Sequence, residues 1–188
     1  MRKIGVLGGT FNPPHIGHLI MANEALFKLG LDEVRLMPNA VAPHKEVAGA
    51  DAAQRLEMTR LAASGYPGIE VEAFEIEKGG VSYSVDTMQQ LTDREPDAVF
   101  YFLIGGDMIE GLTDWHRIDD LLKIVTFAGF RRPGYNEETA YPVTLVDAPE
   151  LKLSSTFLRE RIAAGGPVAH LIPDAVEQFI RKEHLYGS

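Results

Sequence analysis

The chain has no cysteine among its 188 residues. Disulfides, thiolate nucleophiles and cysteine-held metals are therefore excluded, and the composition fits a reducing compartment. Positive charge is scarce: 18 Lys and Arg stand against 27 Asp and Glu, a net charge of −9. That balance argues against nonspecific nucleic-acid binding, which needs a basic footprint. It leaves room for a small anion, because a few cations gathered in one cleft set the field there. No apolar run approaches a membrane span and no apolar leader precedes the first strand, so the expected location is the cytoplasm, with no membrane partner. A Walker Gly-Lys-Ser/Thr is missing, and Gly5-Val6-Leu7-Gly8-Gly9-Thr10 does not follow G-x-G-x-x-G. P-loop hydrolysis and a nicotinamide-dependent oxidoreductase both fail on those grounds. There is no internal repeat, low-complexity tract or long linker.

What is present reads as α/β. At 45% hydrophobic, the chain is long enough for one well-buried domain over residues 1–188, with 154–188 as a small helical C-terminal subregion. Lys3–Leu7 reads as a buried first strand, followed by a helix through Leu29 with Gly30 as its stop. Further strands are expected at Glu33–Pro38, Ile69–Glu72, Val99–Ile104, Val125–Phe130 and Val143–Val146. Between them, helices are expected from Asp51 to about Ser64, from Ser84 to about Asp93 and near Ile118–Lys123. Two more follow, from Ser154 to about Ala163 and from an Asp174 cap to near Tyr186. Lys78-Gly79-Gly80 reads as a loop. Alternating strands and helices imply a Rossmann-like, doubly wound, mostly parallel sheet.

Two stretches carry chemistry. Gly8-Gly9-Thr10-Phe11-Asn12-Pro13-Pro14-His15-Ile16-Gly17-His18 lies between the first strand and the first helix, where an open sheet binds ligands. Gly8 and Gly9 permit a sharp turn and a close main-chain approach. Bare amides at the helix start attract phosphate, and His15 and His18, three apart, share a face from which imidazolium groups would donate to an oxyanion. Two histidines without a clear third ligand make zinc a poor fit. The second stretch is Leu153-Ser154-Ser155-Thr156-Phe157-Leu158-Arg159. Its hydroxyls either cap a helix or seat a phosphate, with Arg159 one turn on as a forked donor.

The run from Gly9 to His18 resembles the His-x-Gly-His signature of the nucleotidylyltransferase superfamily. The longer match, over essentially the whole chain, is similar to bacterial nicotinate-nucleotide adenylyltransferases. Asn12 stands where many relatives carry Asp, and Leu153 replaces a commoner Ile. The resemblance implies that Gly8, Gly9, Thr10, Phe11, His15, His18, Gly106, Asp107, Ser155, Thr156 and Arg159 bind ATP, with His15, His18 and Arg159 catalytic. It places Lys45 of Pro43-His44-Lys45, and Arg132 of Arg132-Pro133-Gly134, near nucleotide phosphate. Trp115 would stack on the pyridine ring, and the main-chain amides of Ser84 and His116 would take the nicotinate carboxylate. Asp107 would accept a ribose hydroxyl or cap a helix, and Arg132 and Trp115 have ordinary surface and core alternatives.

The implied reaction joins ATP and nicotinate mononucleotide, with Mg²⁺ bridging phosphates rather than sitting in a protein cage. A homodimer is an assembly the analogy allows. A pantetheine-phosphate adenylyltransferase or a cytidylyltransferase keeps the fold and changes the acceptor. A nucleotide-binding regulator without catalysis is the remaining class.

Overall fold

The structure is a computed structural model, described here for residues 1–40 and 49–188. Six strands form one fully parallel sheet: β1 (Arg2–Gly9), β2 (Glu33–Pro38), β3 (Ile69–Val71), β4 (Ala98–Gly105), β5 (Val125–Phe130) and β6 (Val143–Val146). Their spatial order is β3-β2-β1-β4-β5-β6. Strand order reverses between β1 and β4, which pair with Leu7 opposite Leu103. The crevice beyond the carboxyl ends of these two strands is the ligand position of a doubly wound sheet.

Alternation along the strands sorts side chains onto two faces. Ile4 and Val6, with Phe100, Phe102 and Ile104, join one buried cluster, covered by Met88 and Leu91 of α4 (Ser84–Arg94) and Leu121 of α6 (Ile118–Ile124). Leu7, Leu36, Leu103 and Ala128 face the other cluster, under Leu19, Ala22 and Ala25 of α1 (Ile16–Leu29). β4 is thus buried on both sides, as its apolar run predicts. Gly30 ends α1 in the left-handed region, at φ 59°, a conformation that favours glycine.

A third cluster joins Met58 and Ala62 of α2 (Ala52–Ala63) to Leu158 and Ile162 of α7 (Ser155–Ala163) and Val176 and Ile180 of α8 (Asp174–Lys182). α2 opens with the expected capping box, Asp51 accepting from the Gln54 amide at 2.8 Å and Gln54 accepting from the Asp51 amide at 3.0 Å. The expectations at Lys78 and for the last helix are corrected. A five-residue helix, α3 (Phe74–Lys78), precedes Gly79-Gly80, and α5 (Gly106–Ile109) is a single helical turn after β4. α8 begins at Asp174 with Pro173 as its cap and ends at Lys182, because His184 takes φ 52° and a separate 3-10 turn follows at Leu185–Gly187.

Candidate active site

β1 runs straight through Gly8 and Gly9, whose Cα partners on β2 are Met37 and Pro38. Neither glycine has positive φ, so the expected sharp turn at that pair is corrected; the chain bends at Phe11, with φ 51°, and at a cis Asn12–Pro13 bond. Gly8 does face open space, with nothing within 4 Å of a Cβ built there. The Phe11 ring is buried and meets His18 edge-on at 4.7 Å between centroids. At 2% exposure Phe11 backs the loop and does not line the cavity beside it.

The loop after Gly9 is held by donors from distant segments. Arg55 Nη1 donates to the Thr10 carbonyl at 2.8 Å, Arg159 Nη1 to the Asn12 carbonyl at 2.9 Å, and Ser155 Oγ to the Pro13 carbonyl at 2.7 Å. Ser155 lies 142 residues beyond Pro13, so the two chemistry-bearing stretches meet in space. Capping and gripping are divided among the hydroxyls. Ser154 Oγ accepts from the Phe157 amide at 3.1 Å, Ser155 reaches the loop, and Thr156 Oγ1 accepts from Arg159 at 3.3 Å. Among the described residues, no acceptor meets the Ser155 and Thr156 amides at the start of α7. That end of the helix is available to an anion.

The start of α1 is not. Gly17 N–H donates to His15 Nδ1 at 3.0 Å, His15 N–H to His18 Nδ1 at 3.1 Å, and Ile16 N–H to the Leu171 carbonyl at 3.0 Å. The expected bare amides there are therefore corrected: the two histidines form a reciprocal capping box instead. Their rings stack with centroids 3.8 Å apart. Because each Nδ1 accepts a main-chain hydrogen, each neutral ring carries its proton on Nε2. Burial, followed by the nearby charge of Arg132, lowers the His15 pKa from 6.5 to about 4. Burial, then His15, then Arg132 hold His18 well below the usual histidine range. The imidazolium pair expected from the sequence is thus a neutral pair before any anion arrives, still offering Nε2–H donors.

A cavity of about 380 Å³ opens at the β1–β4 crevice. Gly8, Gly9, His18, Ser84, Asp107, Trp115 and Arg132 all line it, drawn from six separate segments of the chain. Arg132 pairs with Asp107 at 3.4 Å. Asp107 is the second residue of α5, whose cap is Gly105, so its helix-capping alternative is corrected. Gly106 sits behind it, where a Cβ would lie 2.6 Å from the Phe130 carbonyl. Trp115 packs edge-on against Phe102 at 5.7 Å and Phe127 at 5.9 Å while another part of it lines the cavity. α4 starts without a side-chain cap, and its first residue, Ser84, faces the same space.

Other expected residues are placed differently. His15 and Arg132 line a smaller adjoining cavity of about 50 Å³. Thr10, Ser155, Thr156 and Arg159 do not line the larger one; Thr10 belongs to the loop beside it, Ser155 and Arg159 hold that loop, and Thr156 bonds to Arg159. His116 is exposed and stacks on Tyr83 at 4.3 Å. Lys45 lies outside the described residues. Sequence reasoning missed Glu75, a buried carboxyl on the cavity wall that accepts from Thr87 Oγ1 at 2.9 Å and whose pKa burial raises. It sits on α3, whose cap Ala73 gives no side-chain signal. Met37 and Asn39, also on the wall, were findable as the end of the strand beside β1. Arg55, 1% exposed and bonded to the Thr10 and Ala40 carbonyls, resembles any helix arginine in sequence.

A doubly wound sheet with a His-x-Gly-His turn at its switch point defines a nucleotidyltransferase-type protein, and residues 6–161 match the family model described as cytidylyltransferase-like. The nicotinate-nucleotide adenylyltransferase of Bacillus subtilis (strain 168) is 46% identical over 189 residues, covering 100% of both chains. The probable nicotinate-nucleotide adenylyltransferase of Oceanobacillus iheyensis is 48% identical over 187 residues, covering 100% of this chain and 98% of that one. The chain belongs to the nicotinate-nucleotide adenylyltransferase family. In fold it is similar to the Plasmodium falciparum nicotinic acid mononucleotide adenylyltransferase complexed with NaAD, with a TM-score of 0.83 at 17% identity, covering 100% of this chain and 98% of that one. Among the described residues no helix is long and apolar enough to cross a membrane.

Proposed function

We propose that this chain, acting as one domain over residues 1–188 with 154–188 as its helical subregion, transfers the adenylyl group of ATP to nicotinate mononucleotide. The products are nicotinate adenine dinucleotide and pyrophosphate, and the reaction belongs to NAD biosynthesis in the cytoplasm. The observation carrying the reading is that one cavity at the strand switch joins the phosphate-side donors His18 and Arg132 to Trp115 and the open start of α4. A flat cationic pyridine suits the indole face, and main-chain donors at Ser84 suit a carboxylate better than a carboxamide.

The nucleophile is a phosphate oxygen of the mononucleotide, which attacks the α-phosphorus of ATP in line as the bond to pyrophosphate breaks. With a second pKa near 6, that phosphate is already largely anionic near neutral pH, so no strong general base is required. The protein aligns the reactants and stabilises charge. His15 and His18 donate from Nε2 to the triphosphate, Arg132 balances its charge, and Lys45 contributes from the 41–48 segment. Ser155, Thr156 and Arg159 supply the α7 side of the phosphate seat; Gly8, Gly9, Gly106 and Asp107 flank the adenosine.

Magnesium belongs to this reading as a passenger on the nucleotide. Both Nδ1 atoms are committed, and among the described residues no three His, Asp or Glu side chains group as a cage. Phosphate oxygens and water would be its ligands, with Asp107 the exposed carboxylate on that wall. When bound, the ion would neutralise phosphate charge.

Pyrophosphate release at fixed ATP, with nicotinate, nicotinamide and pantetheine phosphoesters as acceptors, tests the reading. Nicotinate mononucleotide should be the best acceptor, and His18→Ala should lower turnover by about 10²-fold, the scale of one preorganised donor. Preference for another acceptor, or a folded His18→Ala protein at full rate, would remove it.

A further inference from the structure

The last turn of the chain reaches the histidine-bearing loop, and the mechanism above makes no use of it. After α8 the chain passes through His184 at φ 52° into the 3-10 turn at Leu185–Gly187, where Tyr186 takes φ 57°. Two non-glycine residues in the left-handed region within three positions are a costly conformation. Something must repay it. Leu185 anchors the turn in the C-terminal cluster, 5% exposed. Tyr186 packs against the edge of the same cluster, and its hydroxyl reaches beyond it to donate to Asn12 Oδ1 at 2.5 Å. Its ring lies against Gly49, where a Cβ would come within 2.7 Å of the ring. Gly49 itself has φ 95°, so that position suits glycine twice over.

Asn12 is 4% exposed and sits between the bend at Phe11 and the run that opens α1. Its carbonyl is held by Arg159 of α7 and its side chain by Tyr186 of the final turn. The two contacts come from different elements and grip the loop from different atoms. Burial raises the Tyr186 hydroxyl above its ordinary range, more than the nearby Arg159 and Arg55 lower it. It therefore stays a donor throughout any working pH.

We propose that Tyr186 is a positioning residue for adenylyl transfer: through Asn12 it fixes the loop that presents His15 and His18, without touching either reactant. This rests on the function proposed above. A tyrosine that merely fills space over Gly49 would affect melting and leave turnover alone, so the distinction is measurable.

Pyrophosphate release is measured for wild type, Tyr186→Phe, Asn12→Ala, the double variant and Asn12→Asp, with thermal midpoints and the KM for ATP alongside. Tyr186→Phe keeps the ring on Gly49 and should lower kcat by about 3- to 10-fold, the range expected for one lost hydrogen bond. The double variant should be no slower than Asn12→Ala alone, since both remove the same contact. Asn12→Asp keeps an acceptor oxygen and should stay nearer wild type than Asn12→Ala. Tyr186→Phe at wild-type kcat, whatever its melting temperature, overturns the proposal, as do losses that multiply in the double variant. If Tyr186→Phe fails to fold, Asn12→Ala at full kcat overturns it instead. A wild-type protein that releases no pyrophosphate with any acceptor defeats the functional reading alone. Amide exchange over residues 10–18 then decides the loop: faster exchange in Tyr186→Phe upholds the contact's role, and unchanged exchange overturns it.

Discussion

Acid should destabilise this protein through its histidine pair, and the effect can be worked for His15 alone. The side chain is 6% exposed, and its pKa falls from 6.5 to about 4 on folding, chiefly by burial. Unfolding returns the ring to water, where it takes up a proton near its ordinary value. Between those two values the unfolded chain holds more protons than the folded one, so stability is fully present above the upper value and drains away toward the lower. At about pH 5.5 the loss from His15 is roughly 1.4 kcal/mol, rising to roughly 3 kcal/mol once the folded state also protonates. For a chain of this length ~1.4 kcal/mol lowers the melting temperature by roughly 3–6 °C. His18 is displaced in the same direction and adds to the fall. Glu75, raised by burial, works against it by protonating earlier in the folded state. His15→Asn separates these contributions, because asparagine keeps an N-cap acceptor for the Gly17 amide and does not titrate. Melting of both proteins at about pH 7.5 and about pH 5.5 should show wild type losing roughly 3–6 °C more than the variant. Equal acid shifts in the two proteins would refute the assignment of a depressed His15.

Two further outcomes follow from the same geometry. Gly106→Ala should cost roughly 1–3 kcal/mol in chemical denaturation, because the new Cβ falls 2.6 Å from the Phe130 carbonyl and 3.1 Å from the Arg132 amide, main-chain atoms that cannot rotate aside; an unchanged midpoint would refute it. ATP binding near neutral pH should draw protons onto the histidines, since a triphosphate favours the charged ring that Arg132 disfavours. Calorimetry in buffers of different ionisation enthalpy should report net proton uptake, with affinity rising as pH falls from about 7.5 to 6; no uptake would place the histidines away from the phosphates.

Much of this was readable in the sequence because it is local. β2, β5 and β6 fall on the expected residues, each an apolar run closed by a turn signal. The Gly30 stop and the Asp51–Gln54 box need only neighbouring residues to form. α3 was not readable: it spans one short stretch with no capping side chain, and only the cavity it walls gives it a role. The end of α8 was missed because its helical pattern continues into residues whose left-handed conformations are imposed by packing and by the reach of Tyr186 to Asn12. At the site, residue identities were legible and states were not. His15 and His18 were the right pair, yet their protonation is decided by burial and by Arg132, more than a hundred residues away in the chain.

That difference of state bears on how an acidic protein handles an anion. With a net charge of −9, the protein's overall field does not favour a triphosphate, so on the proposed function the donors gathered in the cleft must select it. Arg132 is engaged by Asp107 and exerts its charge on both imidazoles, while Arg55 and Arg159 are tied to loop carbonyls. Among the described residues few positive charges therefore stand unpaired in the cleft, and the desolvation cost of holding them there is avoided. The neutral imidazoles keep their Nε2–H donors aimed by the capping bonds, so geometry is set first. On the proposed function charge would arrive with the ligand, by protonation, where it would act on the phosphates rather than on the neighbouring arginine. A site built this way discriminates by arrangement more than by attraction, which is why the contacts that hold the loop matter as much as the residues it presents.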